Sequence, residues 1–140
     1  YKLFPYSTLF RSALARIAHL PVDQRTDEYC VIVFPDGQIA GGIGLANLPE
    51  HGTGHEWWLE WFYLSSRLRG FKLGEQMIAF IENRARAHGA ATLSLYTSSA
   101  TQEASANFLY ERRGYHVFQT APDTLVDGTP IQTLYRARTL

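Results

Sequence analysis

A chain of 140 residues and 15.9 kDa has the size of one domain, since domains run to roughly 100–200 residues. Hydrophobic residues make up 46 % and charged residues 19 %, with 13 Lys+Arg against 13 Asp+Glu; this excludes a disordered chain and gives no electrostatic footprint for nucleic acid or an anionic membrane surface. No apolar run reaches the ~18 residues needed to cross a bilayer, and the single cysteine, Cys30, allows no internal disulfide and no paired-cysteine zinc site, so a reducing, cytoplasmic setting is expected.

Residues 1–12 (YKLFPYSTLFRS) read as a translated sequencing-adapter remnant, which leaves residues 13–140 as the native domain and implies a truncated gene product. Leu9, Phe10, Ala13, Leu14 and Ile17 nevertheless keep the i, i+3, i+4, i+7 spacing of a helix over residues 6–19, stopped at Leu20-Pro21 because the residue before proline disfavours the helical region. Strands follow. The run 29–34 (YCVIVF) meets Pro35-Asp36-Gly37, a turn in which Pro pre-sets φ, Asp bonds its own backbone and Gly tolerates positive φ; residues 38–45 then return as the second strand of a hairpin. Gly41, Gly42 and Gly44 in that second strand predict a bulge or a close backbone approach. After a loop at 49–54, residues 56–64 (EWWLEWFYL) form a third and strongly aromatic strand.

The period then changes to helical over 74–88, with Met77, Ile78, Ile81 and Ala85 on one face, Glu75, Glu82, Arg84 and Arg86 off it, and Gly89 as the C-terminal stop. Residues 91–96 alternate as a strand, Ser99-Ala100-Thr101-Gln102 reads as a capping box, and the helix it opens runs to Arg113 and stops at Gly114. Strands at 115–121 and 131–137 close the chain around a turn-rich loop at 122–130. The strand–helix–strand segment 56–96 implies a parallel pair with a right-handed crossover, the other pairings being antiparallel. The fold class is α/β, an α+β mixed-sheet domain.

The stretch Ser65-Ser66-Arg67-Leu68-Arg69-Gly70-Phe71-Lys72-Leu73-Gly74 leaves an apolar strand and opens a helix. A helix N-terminus carries about four unpaired N–H groups and partial positive charge, and glycines let an anion approach the backbone, so the segment suits a diphosphate. A plain strand-to-helix connection is the alternative. The phosphate loop with Gly-Lys-Ser/Thr is absent, because Glu75 stands where its lysine would, and so is the dinucleotide-binding Gly-x-Gly-x-x-Gly.

Taken with the later run Phe108-Leu109-Tyr110-Glu111-x-x-Gly114-Tyr115, the strand–loop–helix around Leu64 to Gly74 resembles the GNAT superfamily of acyl-CoA-dependent N-acetyltransferases, from about Tyr29 to the C-terminus. That resemblance implies the GNAT-like acyl-CoA N-acyltransferase fold with its first strand missing, and acetyl-CoA as co-substrate without a metal. It further implies that Arg69, Gly70, Phe71, Lys72, Leu73, Gly74 and the amide of Glu75 hold the CoA diphosphate. Phe62, Tyr63 and Leu64 would pair their backbones with the pantetheine arm, and Tyr110 would be the general acid that protonates the departing thiolate. Lys72 replaces the usual first glycine of the loop, and Glu103 stands where the family often has Asn, for which Asn107 is the nearer substitute as a cofactor-binding residue.

Glu60, among Trp58, Phe62 and Leu64, is the candidate general base, or else a half-exposed carboxylate paired with an arginine. Glu56 and His55 are lesser candidates, and Tyr110 taken alone is a helix-face core aromatic. His51 and His55 sit four apart in a loop without a third ligand, so no metal is expected; His88 reads as a helix-end residue on the dipole, and Cys30 as a small buried hydrophobe. Trp57, Trp58 and Trp61 are core or pocket wall. The expected activity is acetyl transfer to the primary amine of a small molecule or peptide by direct attack. The competing readings are a non-catalytic acyl-CoA-binding or sensory domain and a bare interaction module. A homodimer stays open.

Overall fold

The computed structural model describes residues 28–47 and 57–140. The predicted helix at 6–19, the loop at 49–54, His51, His55 and Glu56 lie outside the described residues. Six strands, β1 (Glu28–Val33), β2 (Ile39–Asn47), β3 (Trp57–Leu64), β4 (Thr92–Ser98), β5 (His116–Thr124) and β6 (Pro130–Thr139), join helices α1 (Leu73–Ala87) and α2 (Ala104–Arg112). The sheet order is β1-β2-β3-β4-β6-β5. It is a mixed sheet: β3 runs parallel to β4 through Trp58 opposite Ser94, and β1/β2, β4/β6 and β5/β6 are antiparallel. The described residues divide into two compact units, 28–47 with Leu59–Ala85, and 57–58 with Arg86–Leu140.

In the first unit the β1–β2 hairpin forms as its turn chemistry dictates. Gly37 adopts φ 86, its amide donates to the Phe34 carbonyl, and the Gln38 amide donates to Asp36 Oδ1. The predicted close approach falls at Gly41, where an added Cβ would lie 2.9 Å from the Tyr63 carbonyl oxygen and 3.5 Å from Met77 Cε, and at Gly44, where it would lie 2.6 Å from Tyr29 Cε1 and 3.2 Å from the Glu60 carbonyl oxygen. Met77, Ile78, Ile81 and Ala85 form the buried stripe of α1. Glu82 does not fall off that stripe as expected; it is 2 % exposed, because it follows Ile78 by four residues and so shares its face. Arg84 ties α1 to the hairpin through two 2.8 Å hydrogen bonds to the Glu28 carboxylate. Cys30 is only partly buried. Burial and then the Glu28 carboxylate push its thiol up, against the opposing pull of Arg84, so little nucleophilic thiolate is present at neutral pH.

In the second unit β6 lies between β4 and β5, with Arg136 opposite both Leu95 and Val117. The chain between β5 and β6 is shorter than the predicted loop: Pro122 and Asp123 belong to β5, and the reversal is confined to residues 125–129. Proline is tolerated there because β5 is an edge strand, where the ladder loses nothing with the missing N–H. The predicted capping box at Ser99 does not form. Ser99 Oγ instead accepts from the Gln132 amide, while one residue earlier the Ser98 amide and hydroxyl both donate to Glu103 Oε2. A 3₁₀ turn at Thr101–Glu103 then leads into α2. His88, beyond the end of α1, stacks on Trp57 with ring centroids 4.8 Å apart.

Candidate functional site

The first unit carries the strand and loop singled out above. The strand β3 ends where the Ser65 amide donates to the Ala40 carbonyl at 2.7 Å, which fixes the point at which the chain leaves the sheet. A 3₁₀ turn, Ser66–Leu68, follows, opened by the Ser65 hydroxyl accepting from the Arg67 amide. Arg69 folds back so that its Nε donates to the Leu64 carbonyl at 3.3 Å. Gly70 then takes φ 86 and Lys72 φ 59 on either side of Phe71, immediately before α1. Positive φ is ordinary for glycine and costs a lysine roughly 1–2 kcal/mol. Such alternation is how a chain turns successive N–H groups toward one concavity, and the start of a helix adds its own unpaired amides. A Cβ built on Gly70 meets nothing within 4 Å, so the loop is open on that side. Arg67, Arg69, Gly70, Phe71 and Lys72 are all exposed.

Two features of this segment have no signal in the sequence. Trp61 adopts φ 52 within β3, a conformation that a bulky residue rarely takes and that marks a break in the strand. It interrupts the alternation that would put Glu60 on one face with Phe62 and Leu64. Its indole Nε1 is buried with no acceptor among the described residues. Arg67 lies with its guanidinium carbon 4.5 Å from the Phe34 ring centroid, a cation–π contact that braces the loop against the hairpin. Glu60 is partly buried and accepts from the Tyr29 hydroxyl at 3.3 Å. One neighbour of the Glu60 carboxylate is therefore a phenol.

The second unit carries Tyr110 and Asn107. The end of α2 is closed by a hydrogen-bond pattern with a purely structural logic. The Tyr115 amide donates to the Tyr110 carbonyl and the Gly114 amide to the Glu111 carbonyl, with Gly114 at φ 88. These are the two bonds of a Schellman stop, and the ring contact expected with it is present: Tyr110 and Tyr115 meet edge to face at 5.9 Å. Glycine is required at 114 by its backbone, and Tyr110 is held by its place as the third residue from the end of α2. Tyr110 is 5 % exposed. Burial, and after it the Glu103 carboxylate, pushes its phenol well above the ordinary tyrosine value.

Asn107 is occupied at both polar ends, its Oδ1 accepting from Thr97 Oγ1 at 2.5 Å and its Nδ2 donating to the Ser98 carbonyl at 2.8 Å. It fastens α2 to the end of β4. Glu111 reaches the guanidinium of Arg136, a residue the sequence does not single out. Among the described residues no group of three or more His, Cys, Asp or Glu is placed to hold a metal, and no helix is long and apolar enough to cross a membrane.

Comparison with known proteins gives one consistent answer. The family model described as "Acetyltransferase (GNAT) family" matches residues 3–115. No curated protein matches the sequence. Among solved structures, a Klebsiella pneumoniae protein assigned as an acyl-CoA N-acyltransferase is 25 % identical, with TM-score 0.61 over 96 % of this chain and 89 % of that one. The ribosomal-protein-alanine N-acetyltransferase of Brucella melitensis is 18 % identical, with TM-score 0.71 over 99 % of this chain and 81 % of its own. A Bacillus anthracis protein assigned as a streptothricin acetyltransferase, solved with acetyl coenzyme A, is 17 % identical, with TM-score 0.67 over 85 % of this chain and 65 % of its own.

Proposed function

The chain belongs to the GNAT acetyltransferase family, and on that premise we propose that residues 13–140 form a single domain that moves the acetyl group of acetyl-CoA to a primary amine by direct attack, in the cytoplasm. The observation that carries this reading is the pair of positive φ angles at Gly70 and Lys72 leading into α1, with open space at Gly70. That backbone fits a diphosphate: Arg69, Gly70, Phe71, Lys72, Leu73, Gly74 and the Glu75 amide supply donors and positive charge to it. The backbones of Phe62, Tyr63 and Leu64 pair with the pantetheine arm as with an added strand. Asn107 serves indirectly, by fastening the end of β4 to α2.

Acetyl-CoA, when bound, supplies a thioester carbonyl that the amine attacks as the C–S bond breaks. An amine of pKa about 10.4 must first lose a proton, which costs roughly 4–5 kcal/mol at pH 7. Glu60, directly or through a water, takes that proton. Tyr110 faces the opposite task, giving a proton to the leaving sulfur. A phenol near 10 is already above a thiol near 8.5, and burial raises Tyr110 further. Tyr110 therefore acts first by hydrogen-bonding to the developing thiolate, and transfers its proton only where desolvation has raised the thiolate's affinity as well.

Calorimetric titration with acetyl-CoA, followed by thiol-release assays on spermidine, an alanine-started peptide and streptothricin, tests the proposal. Saturable heat with thiol release on at least one amine is expected. Absence of both heat and thermal shift at millimolar acetyl-CoA would remove it, and binding without thiol release on a wide amine panel would leave an acyl-CoA-binding domain in its place.

A further inference from the structure

Arg136 lies on β6 in the middle of the ladder and is 3 % exposed. A cation in such a place is costly unless every donor is used, and an aliphatic side chain would pack between β4 and β5 without that penalty. Arg136 does not use every donor: its Nε is buried with no acceptor among the described residues. Its partner Glu111 is largely exposed, so water screens that side of the ion pair. Neither packing nor pairing accounts for an arginine here.

The geometry of its remaining donors does. Nη2 donates to Glu111 Oε1 at 3.0 Å and Nη1 to the Tyr115 carbonyl at 3.2 Å. One partner is the residue next to Tyr110, and the other is the residue whose amide bonds the Tyr110 carbonyl and whose ring meets the Tyr110 ring. The planar guanidinium thus holds the helix stop at two points, Glu111 and Tyr115, and ties it to a central strand of the second unit. We infer that Arg136 is a positioning residue for Tyr110, acting through Glu111 and Tyr115 to fix where the phenolic oxygen stands. The inference rests on the reading of Tyr110 as the group that serves the leaving sulfur. The signal in the sequence is an arginine flanked by apolar and aromatic residues in a strand, Leu134-Tyr135-Arg136-Ala137, which by itself reads as a surface charge.

The test uses the full chain labelled with 3-fluorotyrosine, the Tyr110 resonance being assigned by its loss in Tyr110→Phe. Arg136→Met is expected to shift or broaden that line while leaving those of tyrosines away from the helix stop in place and the melting transition cooperative. Thiol release on the fastest panel amine should fall about tenfold in kcat, with KM for acetyl-CoA within twofold, and Arg136→Lys should restore part of both signals. Glu111→Gln, a change at an exposed side chain, should move the Tyr110 line in the same direction by less and serves where Arg136→Met does not fold. An unmoved Tyr110 line in folded Arg136→Met, or a loss shared equally between kcat and acetyl-CoA affinity, overturns the inference. In the wild type, a Tyr110 line indifferent to saturating CoA would instead sink the role given to Tyr110 itself, and with it any catalytic meaning for the clamp.

Discussion

Replacing Gly41 by alanine probes the contact on which the first unit depends. The new Cβ would lie 2.9 Å from the Tyr63 carbonyl oxygen and 3.3 Å from Leu64 Cδ1. The nearer atom is backbone, so no rotamer change relieves the clash and β3 itself must yield. Overpacking of this kind costs about 1–3 kcal/mol. Against it stands a gain of about 0.5–1 kcal/mol, because alanine loses less chain entropy than glycine in a strand. Gly42 is the internal control, since its added Cβ meets only the Cys30 carbonyl, at an ordinary 3.6 Å, and Gly42→Ala should show the gain alone. The two variants should therefore differ by about 2 kcal/mol. With an unfolding entropy near 0.3 kcal/mol/K for a chain of this size, that is a gap of about 7 °C in Tm, readable by scanning calorimetry. Because Tyr63 and Leu64 lie on the stretch proposed to pair with pantetheine, Gly41→Ala should also weaken acetyl-CoA binding severalfold. Equal melting temperatures for the two variants would refute the steric argument.

Lys72→Gly should remove the cost of a left-handed lysine at φ 59 and recover about 0.5 kcal/mol after the entropy of the added glycine is counted, a rise of about 2 °C in the ligand-free Tm; a fall would show that the ammonium, and not the backbone, holds the loop. The raised Tyr110 phenol predicts a specific alkaline behaviour. Below pH ~10 both the folded and unfolded states keep the proton; above it the unfolded chain loses its proton first, so the stability tied to burying the neutral phenol declines as pH climbs from ~10 toward the folded value. Denaturant unfolding of Tyr110→Phe should lose less stability than wild type between about pH 9.5 and 11, and parallel curves would contradict the assignment.

The parts of the fold that were legible in the sequence are those written in local chemistry. The hairpin follows from Pro35-Asp36-Gly37, the buried stripe of α1 from its spacing, the close approach at β2 from its glycines, and the parallel β3–β4 pair from the strand–helix–strand order. What was not legible depends on partners distant in the chain. Neighbouring strands usually pair in sequence order, and nothing in residues 116–139 says that β6 slips between β4 and β5. Ser99 has the chemistry of a cap, but its hydroxyl is taken by the Gln132 amide, 33 residues away, and no local signal shows that. At the site, the fitness of the loop for an anion is legible in its glycines and the helix start, whereas a role for Tyr110 comes only from likeness to a family. The positive φ at Trp61 leaves no trace in the sequence, because a bulky aromatic in a strand signals regular pleating. Arg136 carries no local signal, because its partners lie 21 and 25 residues away.

The proline at position 122 bears on how copies of this molecule meet. An outermost strand normally offers a row of open donors and acceptors along which a neighbour can add, and repeated addition of that kind builds filaments. Here the row is broken by a residue with no hydrogen to give, and Asp123 beside it adds a charge that an incoming strand would have to bury. Growth by lateral strand addition at β5 is thus discouraged by covalent structure alone.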